Sequence, residues 1–454
     1  MSVRCALLVS TLFLGACAHE NHRHPAAVTT ALQWEQTPLN PCGRYDDIVF
    51  TNDRTGFTVN GCGEIYQTRD QGQSWQLNRR MPNDIYLRTI DFLDNGQVGF
   101  IGTLTRDAFY KTTDGGATWS NISQSLPGHH SICGLDHFGS ALFAVGNFQM
   151  TSAQFFRSND AGTSWELIDL GAQASGLIDV KFIAPKTGFV AGTHAEKGAL
   201  ILRTTNGGTT WTQVYPARDA RPGSYPTDPS DIMWKLDFVD ERVGYGAVYS
   251  STSNSSKVVK TTDGGRTWST IVIDPANNRE LEGIGFSDAQ TGWAGGYGDG
   301  VYETRNGGAS WTFHENAGSN FNRAYFRRPR LAFASGNGVF RLAPPTAGRA
   351  PGGHTPAVVP HTTRVADDKV CVALDRPTHA TVRLLDERGR FIDQGPLLHA
   401  RLTSGEHCFT PHATHALRAG QYHLQFRTLE RIFTQKFAWG GGRYRAVARH
   451  SGAM

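Results

Sequence analysis

Six octapeptides combine the residue types of a catalytic or cation-binding loop: TRDQGQSW at 68–75, TTDGGATW at 112–119, SNDAGTSW at 158–165, TTNGGTTW at 204–211, TTDGGRTW at 261–268 and TRNGGASW at 304–311. Each holds an acid or amide, hydroxyls, a small residue at position five and a closing tryptophan. Calcium needs several oxygen ligands at one centre. Each octapeptide offers a single carboxylate at position three, Asp70, Asp114, Asp160 or Asp263, and two carry Asn206 and Asn306 instead. Neither metal binding nor catalysis fits that supply. A tight turn does. Asp or Asn at position three accepts backbone N–H bonds. Gly at position five supplies a positive φ. Trp75, Trp119, Trp165, Trp211, Trp268 and Trp311 can each bury a large face and satisfy an N–H. No metal or cofactor is implied.

The spacing says what the turns are for. They begin at 68, 112, 158, 204, 261 and 304, a period in the forties. That is the length of a four-stranded propeller blade. A second motif runs in phase, an apolar strand, a polar turn and an aromatic-led strand ending near Gly. It begins at 48, 90, 134, 180, 236, 284 and 324. Each copy reads as a β-hairpin. The seven hairpins outnumber the six octapeptides, so one blade lacks its last turn. Near the other end, Trp34 opens WEQTPLN, which looks like the strand that follows each octapeptide tryptophan. Residues 31–38 are expected to pair with the strands of 324–342, closing the ring with both chain ends and hiding its edges. The fold class is all-β: a seven-bladed β-propeller over 31–343.

The octapeptides resemble the Asp-box, or bacterial neuraminidase repeat, of sialidases, xyloglucanases and sortilin-type receptors. Paired with the GF-x-x-G hairpin, they look most like the photosystem II assembly and stability factor family. The resemblance covers nearly all of 31–343. It implies a non-enzymatic chaperone fold that docks on membrane-protein assembly intermediates. It also implies an arginine patch for partner docking. Candidates are Arg323, Arg327, Arg328 and Arg330, which bracket the innermost strand of the closing blade, with Arg44 and Arg88 in blades one and two. Arginine suits docking because its planar donors pair carboxylates bidentately.

A glycan-binding or sialidase-like propeller is the competing class. Sialidases need three arginines, a Tyr nucleophile and an acid/base pair. Their first arginine lies in an F/Y-R-I-P motif near the start of the domain, whereas Phe326-Arg327-Arg328-Pro329 departs from it in residue and place. Asp107, Glu196 and Glu303 read as isolated, solvated acids. No G-x-S-x-G, H-E-x-x-H or P-loop occurs.

Residues 344–362 form a Pro/Gly-rich linker. Residues 363–445 are strand-like again and resemble small immunoglobulin-like β-sandwiches, followed by a tail at 446–454. Cys371 and Cys408 fall in two expected strands and are disulfide candidates, as are Cys42 and Cys62. Beyond the first two cysteines five remain, so at least one is unpaired. From 344 onward 15 Arg and Lys face 8 Asp and Glu, so the C-terminal part is basic while the whole chain is only +4. That small net charge gives no support for nucleic-acid binding.

Residues 1–16 have a short basic start and an apolar run too brief to span a bilayer. Leu14-Gly15-Ala16-Cys17 resembles the lipobox, with Cys17 as the lipidated residue and 17–30 as a polar tether. The resemblance, with Ala18 after the cysteine, implies a lipid anchor in the cell envelope, in the outer membrane facing periplasm or surface. The expected partner is an envelope protein, with a glycan as the alternative.

Overall fold

The computed structural model describes residues 33–39, 42–82, 85–128, 131–146, 153–216, 228–253, 255–328 and 331–343. Of the C-terminal part it describes 362–366, 369–374, 378–386, 398–409, 419–428, 432–440 and 443–446. The signal peptide, Cys17, the tether, most of the linker, Arg330, the Arg328 side chain and the tail beyond 446 lie outside these residues.

The chain through 343 makes seven antiparallel sheets of four strands. Their inner strands are Tyr45–Phe50, Leu87–Phe92, Ile132–Phe138, Gly176–Phe182, Ile232–Phe238, Leu281–Phe286 and Arg323–Arg328, which number blades one to seven. Each lies against the next, and Arg323–Arg328 lies against Tyr45–Phe50. In blades one to six the fourth strand is the most exposed. In blade one the inner strand is buried throughout, and the outer strand, Gln76–Arg80, is largely exposed. In blade seven the fourth strand is Gln33–Gln36, registered as Trp34 opposite Leu342 and Gln36 opposite Phe340.

The six octapeptides link third and fourth strands. In Asp114's turn, Thr118 donates its backbone N–H (2.9 Å) and hydroxyl (2.6 Å) to the carboxylate. Thr112 donates its hydroxyl to Asp114 (2.7 Å) and accepts the Gly116 N–H (2.9 Å). Asp70, Asp160 and Asp263 repeat the pattern. Asn206 and Asn306 keep the accepting oxygen and donate Nδ2 to Thr210 and Ser310, where a carboxylate would accept. A rotatable hydroxyl makes the exchange free, and both residues therefore serve a turn. Thr118's bonds hold the Asp114 carboxyl down at about 2. The tryptophan expectation needs correction. Trp211 and Trp311 donate Nε1 to Gly208 (3.0 Å) and Gly308 (3.2 Å), but Trp75, Trp119, Trp165 and Trp268 find no acceptor among the described residues. What they supply is ring area.

That area meets the hairpin aromatics at the blade boundaries. Phe57 of blade one stacks on Phe92 of blade two at 4.9 Å, with Trp119 edge-on to Phe92 at 5.8 Å. Phe189, Phe238 and Trp268 repeat this between blades four and five, as do Tyr245, Phe286 and Trp311 between five and six. Between blades six and seven Trp293 stacks on Phe326, and Trp34 stands edge-on to Trp293 at 5.7 Å, where a box tryptophan would be. The same aromatic sets position five. Gly116 has φ 86°, and a Cβ there would come within 2.8 Å of Phe57. Gly265, at φ 71°, would overlap Phe189 of the preceding blade.

The C-terminal part holds a sheet of Thr362–Ala366, Lys369–Leu374 and Gly405–Phe409. A second has the order Leu398–Leu402, Thr378–Asp386, Gly420–Thr428, Ile432–Gly440, Arg443–Ala446. Val372, Val382, Leu384, Leu424 and Phe437 are buried. Cys371 and Cys408 are directly opposed and disulfide-bonded, Cys42 bonds Cys62, and Cys133 is a buried free thiol.

Two glycines with similar φ test the packing claim. Gly139 has φ 61° and open space around it, so Gly139→Ala should cost about 1 kcal/mol of backbone strain. Gly265→Ala should add about 1–3 kcal/mol of overpacking against Phe189. Urea unfolding of the two variants gives the difference directly.

Candidate functional site

All seven inner strands skip one residue in their register with the second strand: six near their start, at Asp46, Arg88, Cys133, Ile178, Trp234 and Glu282, and the seventh near its end, at Arg327. Such a bulge re-aims the extra side chain. The six skips of blades one to six fall near the start of the inner strands, at one mouth of the ring. Asp46 accepts from Arg44 Nε at 2.6 Å, lies 3.2 Å from Arg88 Nη1, and accepts Asn322 Nδ2 at 2.9 Å. Arg44 also pairs with Glu282. Trp234 Nε1 donates to Asn322 Oδ1 at 3.1 Å, with the Arg88 guanidinium 5.5 Å from the indole centre. Arg44 lies 6.0 Å from the Tyr297 ring.

One step along the strands, Arg323 pairs with Asp47 at 2.5 Å and lies 3.8 Å from Asp179, while Lys235 is 3.3 Å from Asp179. Two residues further, Lys181 pairs with Asp136 at 3.0 Å and His137 with Asp91 at 2.7 Å. Several carboxylates also grip the next blade's backbone. Asp47 accepts the Ile90 N–H, Asp136 that of Phe182, Asp179 that of Leu236 and Asp237 that of Phe286, at 2.6–3.2 Å. These carboxylates are held by cations or amides, an arrangement that fastens blades together rather than delivering protons.

Burial opposes the charge on Arg44, but Asp46 and Glu282 overcome it and raise its pKa. Burial wins at Lys235, whose pKa is lowered despite Asp179. Burial likewise raises Asp136 against the pull of Lys181, and Asp237 against its backbone bond from Phe286.

These positions divide the sequence-derived arginine candidates. Arg44 and Arg88 are 6% and 3% exposed, so they belong to the channel interior rather than to an open patch. Arg323 is part of the same ion network. Arg327 is at the opposite end of its strand, paired with Asp53 at 3.1 Å and donating to the Phe50 carbonyl at 2.8 Å. Arg328 ends that strand. The octapeptide turns share this second end: the position-four N–H of each donates to the inner hairpin turn of its own blade, as Gly115 does to Gln97 and Gly264 to Arg242. Asp107 and Glu196 are exposed. Glu303 is not the solvated acid expected, being 8% exposed and paired with Arg305 and His314. The sequence reading missed the carboxylate clamps. Their signal is an acid inside an otherwise apolar inner strand, as at Asp136, Asp179 and Asp237.

A family model described as Photosynthesis system II assembly factor YCF48 matches residues 26–139. The Photosystem II assembly lipoprotein Ycf48 of Synechococcus sp. (strain CC9902) is 24% identical over 326 residues, 70% of this chain and 90% of that protein. The propeller resembles the Ycf48 assembly-factor family. In fold, a structure described as YCF48 bound to D1 peptide superposes with a TM-score of 0.53 at 19% identity, covering 71% of this chain and 97% of that one. A xyloglucanase of Paenibacillus sp. is 27% identical over 213 residues, 37% of this chain and a fifth of the enzyme's length. The GH74 xyloglucanase of Xanthomonas campestris superposes with a TM-score of 0.52 at 13% identity, covering 93% of this chain and 70% of that one.

Replacing Arg44 by Met leaves Glu282 and part of Asp46 buried without their cation, which should cost about 3–5 kcal/mol. The Arg44→Met/Glu282→Met pair should cost less than the single change in chemical denaturation. His137 gives a pH signature. Burial opposes its charge, but the bond and charge of Asp91 outweigh it and raise the pKa to about 9. A raised pKa contributes stability below the unfolded value of about 6.5, lost as pH climbs through about 9. Melting curves from pH 6 to 10 should show this loss in the wild type relative to His137→Gln.

Proposed function

We propose that the protein is a non-enzymatic, lipid-anchored propeller that binds protein partners, a scaffold or assembly factor for an envelope complex. The observation that carries the reading is the similarity to the Synechococcus assembly lipoprotein, which spans 90% of that protein and most of this propeller. A relative of the same fold is described as bound to a D1 peptide, a precedent for peptide capture by this architecture. The lipobox-like Leu14–Cys17 stretch supports an anchor at Cys17, with the outer membrane as its place. Pairing of Gln33–Gln36 with Val339–Ala343 closes the ring, and the two C-terminal sheets pack as an immunoglobulin-like sandwich, with Cys371–Cys408 joining neighbouring strands of one sheet. Docking uses the box-side rim at Arg327, with Arg328 and Arg330 as the sequence candidates that follow it.

A glycan-active propeller is the second reading, favoured by the xyloglucanase similarity. Against it, Arg44, Arg88 and Arg323 are each neutralised by Asp46 or Asp47 and do not converge on an open position as a sialidase triad must.

In-cell cross-linking followed by mass spectrometry tests the choice. Wild type should capture a discrete membrane complex, and Arg327→Glu/Arg328→Glu should lose it while keeping its melting temperature, since an exposed pair such as Arg327–Asp53 is worth only about 0.2–1 kcal/mol. A wild type that captures no protein but binds an envelope polysaccharide would transfer the assignment to the second reading.

A further inference from the structure

Arg279 differs from the arginines beside it. It immediately precedes the inner strand of blade six, at the mouth where Arg44 and Arg88 lie. Those two are paired with Asp46. Arg279 has no carboxylate within ion-pair distance among the described residues. Its Nη1 reaches only the Asp299 carbonyl, at 3.4 Å, and its buried Nε has no acceptor. The guanidinium is nevertheless fixed, stacked 4.2 Å from the Phe313 ring centre. Gly298 leaves its Nη1 side open, since even a Cβ there would remain 3.7 Å away.

The surroundings form an open groove lined by Arg279, Ser253, Ala276, Asn277, Asn278 and Tyr297. Its walls are set from within. Asn278 caps the Ser250 carbonyl and accepts the Glu280 N–H, Asn277 is bound to Asp274, and Glu280 is held at φ 45°. Tyr297 joins the groove to the ring mouth, with Tyr249 6.5 Å from it and Trp234 5.2 Å beyond. A pre-oriented planar donor without an acid, beside aromatic rings on a rigid floor, matches a carboxylate carried on a peptide.

We propose that this groove binds an acidic peptide segment of the partner, with Arg279 taking its carboxylate and Tyr297 packing against the flanking residue. The proposal rests on the protein-binding reading and adds a second contact surface at the mouth opposite Arg327.

The test uses the full chain and two fluorescein-labelled capped hexapeptides, Gly-Tyr-Glu-Glu-Leu-Gly and its Gln-for-Glu counterpart, read by fluorescence anisotropy. The Glu peptide should bind wild type, weaken about tenfold or more in Arg279→Ala, and recover in part in Arg279→Lys. Ala276→Glu, an exposed change on the groove rim that leaves the stacking untouched, should weaken it as well. Raising salt from 20 to 200 mM should reduce binding of the Glu peptide selectively. Equal binding of the two peptides, or affinity unchanged in both Arg279→Ala and Ala276→Glu, overturns the proposal. If cross-linking captures the same partner from wild type and Arg279→Ala, the groove assignment falls and protein binding stands. If wild type captures no partner and a glucuronate disaccharide binds in an Arg279-dependent manner, the peptide assignment falls together with the protein-binding reading.

Discussion

Everything in the propeller depends on an aromatic ring of one blade resting where the next blade has no side chain. Phe57 lies over Gly116, Phe189 over Gly265, and Phe100 over Gly162. The glycine is demanded twice, by a positive φ and by the ring above it, and the two demands cannot be met by any other residue at low cost. This contact explains why the two sequence motifs run in phase. The hairpin aromatic and the octapeptide belong to neighbouring blades, so each motif is complete only in the ring. The box aspartates then serve the glycine: by gathering the turn's N–H and hydroxyl groups they fix its backbone where the ring needs it.

The channel follows a different rule. Seven inner strands converge, and their period-two side chains must fill a narrow axis. Apolar filling would make the blades interchangeable. This chain uses salt-bridged layers instead, and the acids that pair with arginine or lysine also clamp the neighbouring blade's N–H groups. Buried pairs give little net stability over apolar packing. Their effect is geometric, because a displaced blade would strand a buried charge. Asp179 illustrates it: one oxygen faces Lys235 and the other accepts the Leu236 N–H of the next blade.

Blade phase was legible in the sequence because it is carried by Gly, Trp and Asp at fixed spacing, residues whose backbone or volume requirements have few substitutes. Trp34 was legible for the same reason, as a lone tryptophan with the right followers, and it stands beside Trp293 as a box tryptophan would. The positions of the arginines were not legible. A register skip of one residue turns a side chain to the other face, and nothing in YDDIVF or YLRTIDF announces that Asp46 and Arg88 are the extra residues. Arg44 and Arg88 read as members of a docking patch when they are interior ones. Indole N–H bonding was misjudged because ring packing, not hydrogen bonding, sets the tryptophan orientation in most boxes. Arg279 lay in a non-repeating connection, where periodicity carries no information; its meaning comes from Phe313 and from the absence of an acid, both of which are spatial facts.

On the protein-binding reading, a channel filled with paired charge leaves the two ends of the ring for recognition. The ends are chemically unlike. The box end is a ring of tight polar turns in which each carboxylate is spent on its own backbone, so a partner there meets mainly the side chains of the short inner hairpins, Arg327 among them. The other end carries the longer connections between blades and the aromatic set of Trp234, Tyr249 and Tyr297, half-open above the Arg44–Asp46–Glu282 layer. Because that layer is neutralised, it repels neither sign of charge, and Arg279 lies beside it with no carboxylate in reach among the described residues. On the proposed reading, a rigid floor with one such donor selects by the position of a carboxylate rather than by net charge, as recognition of one segment among many acidic ones requires.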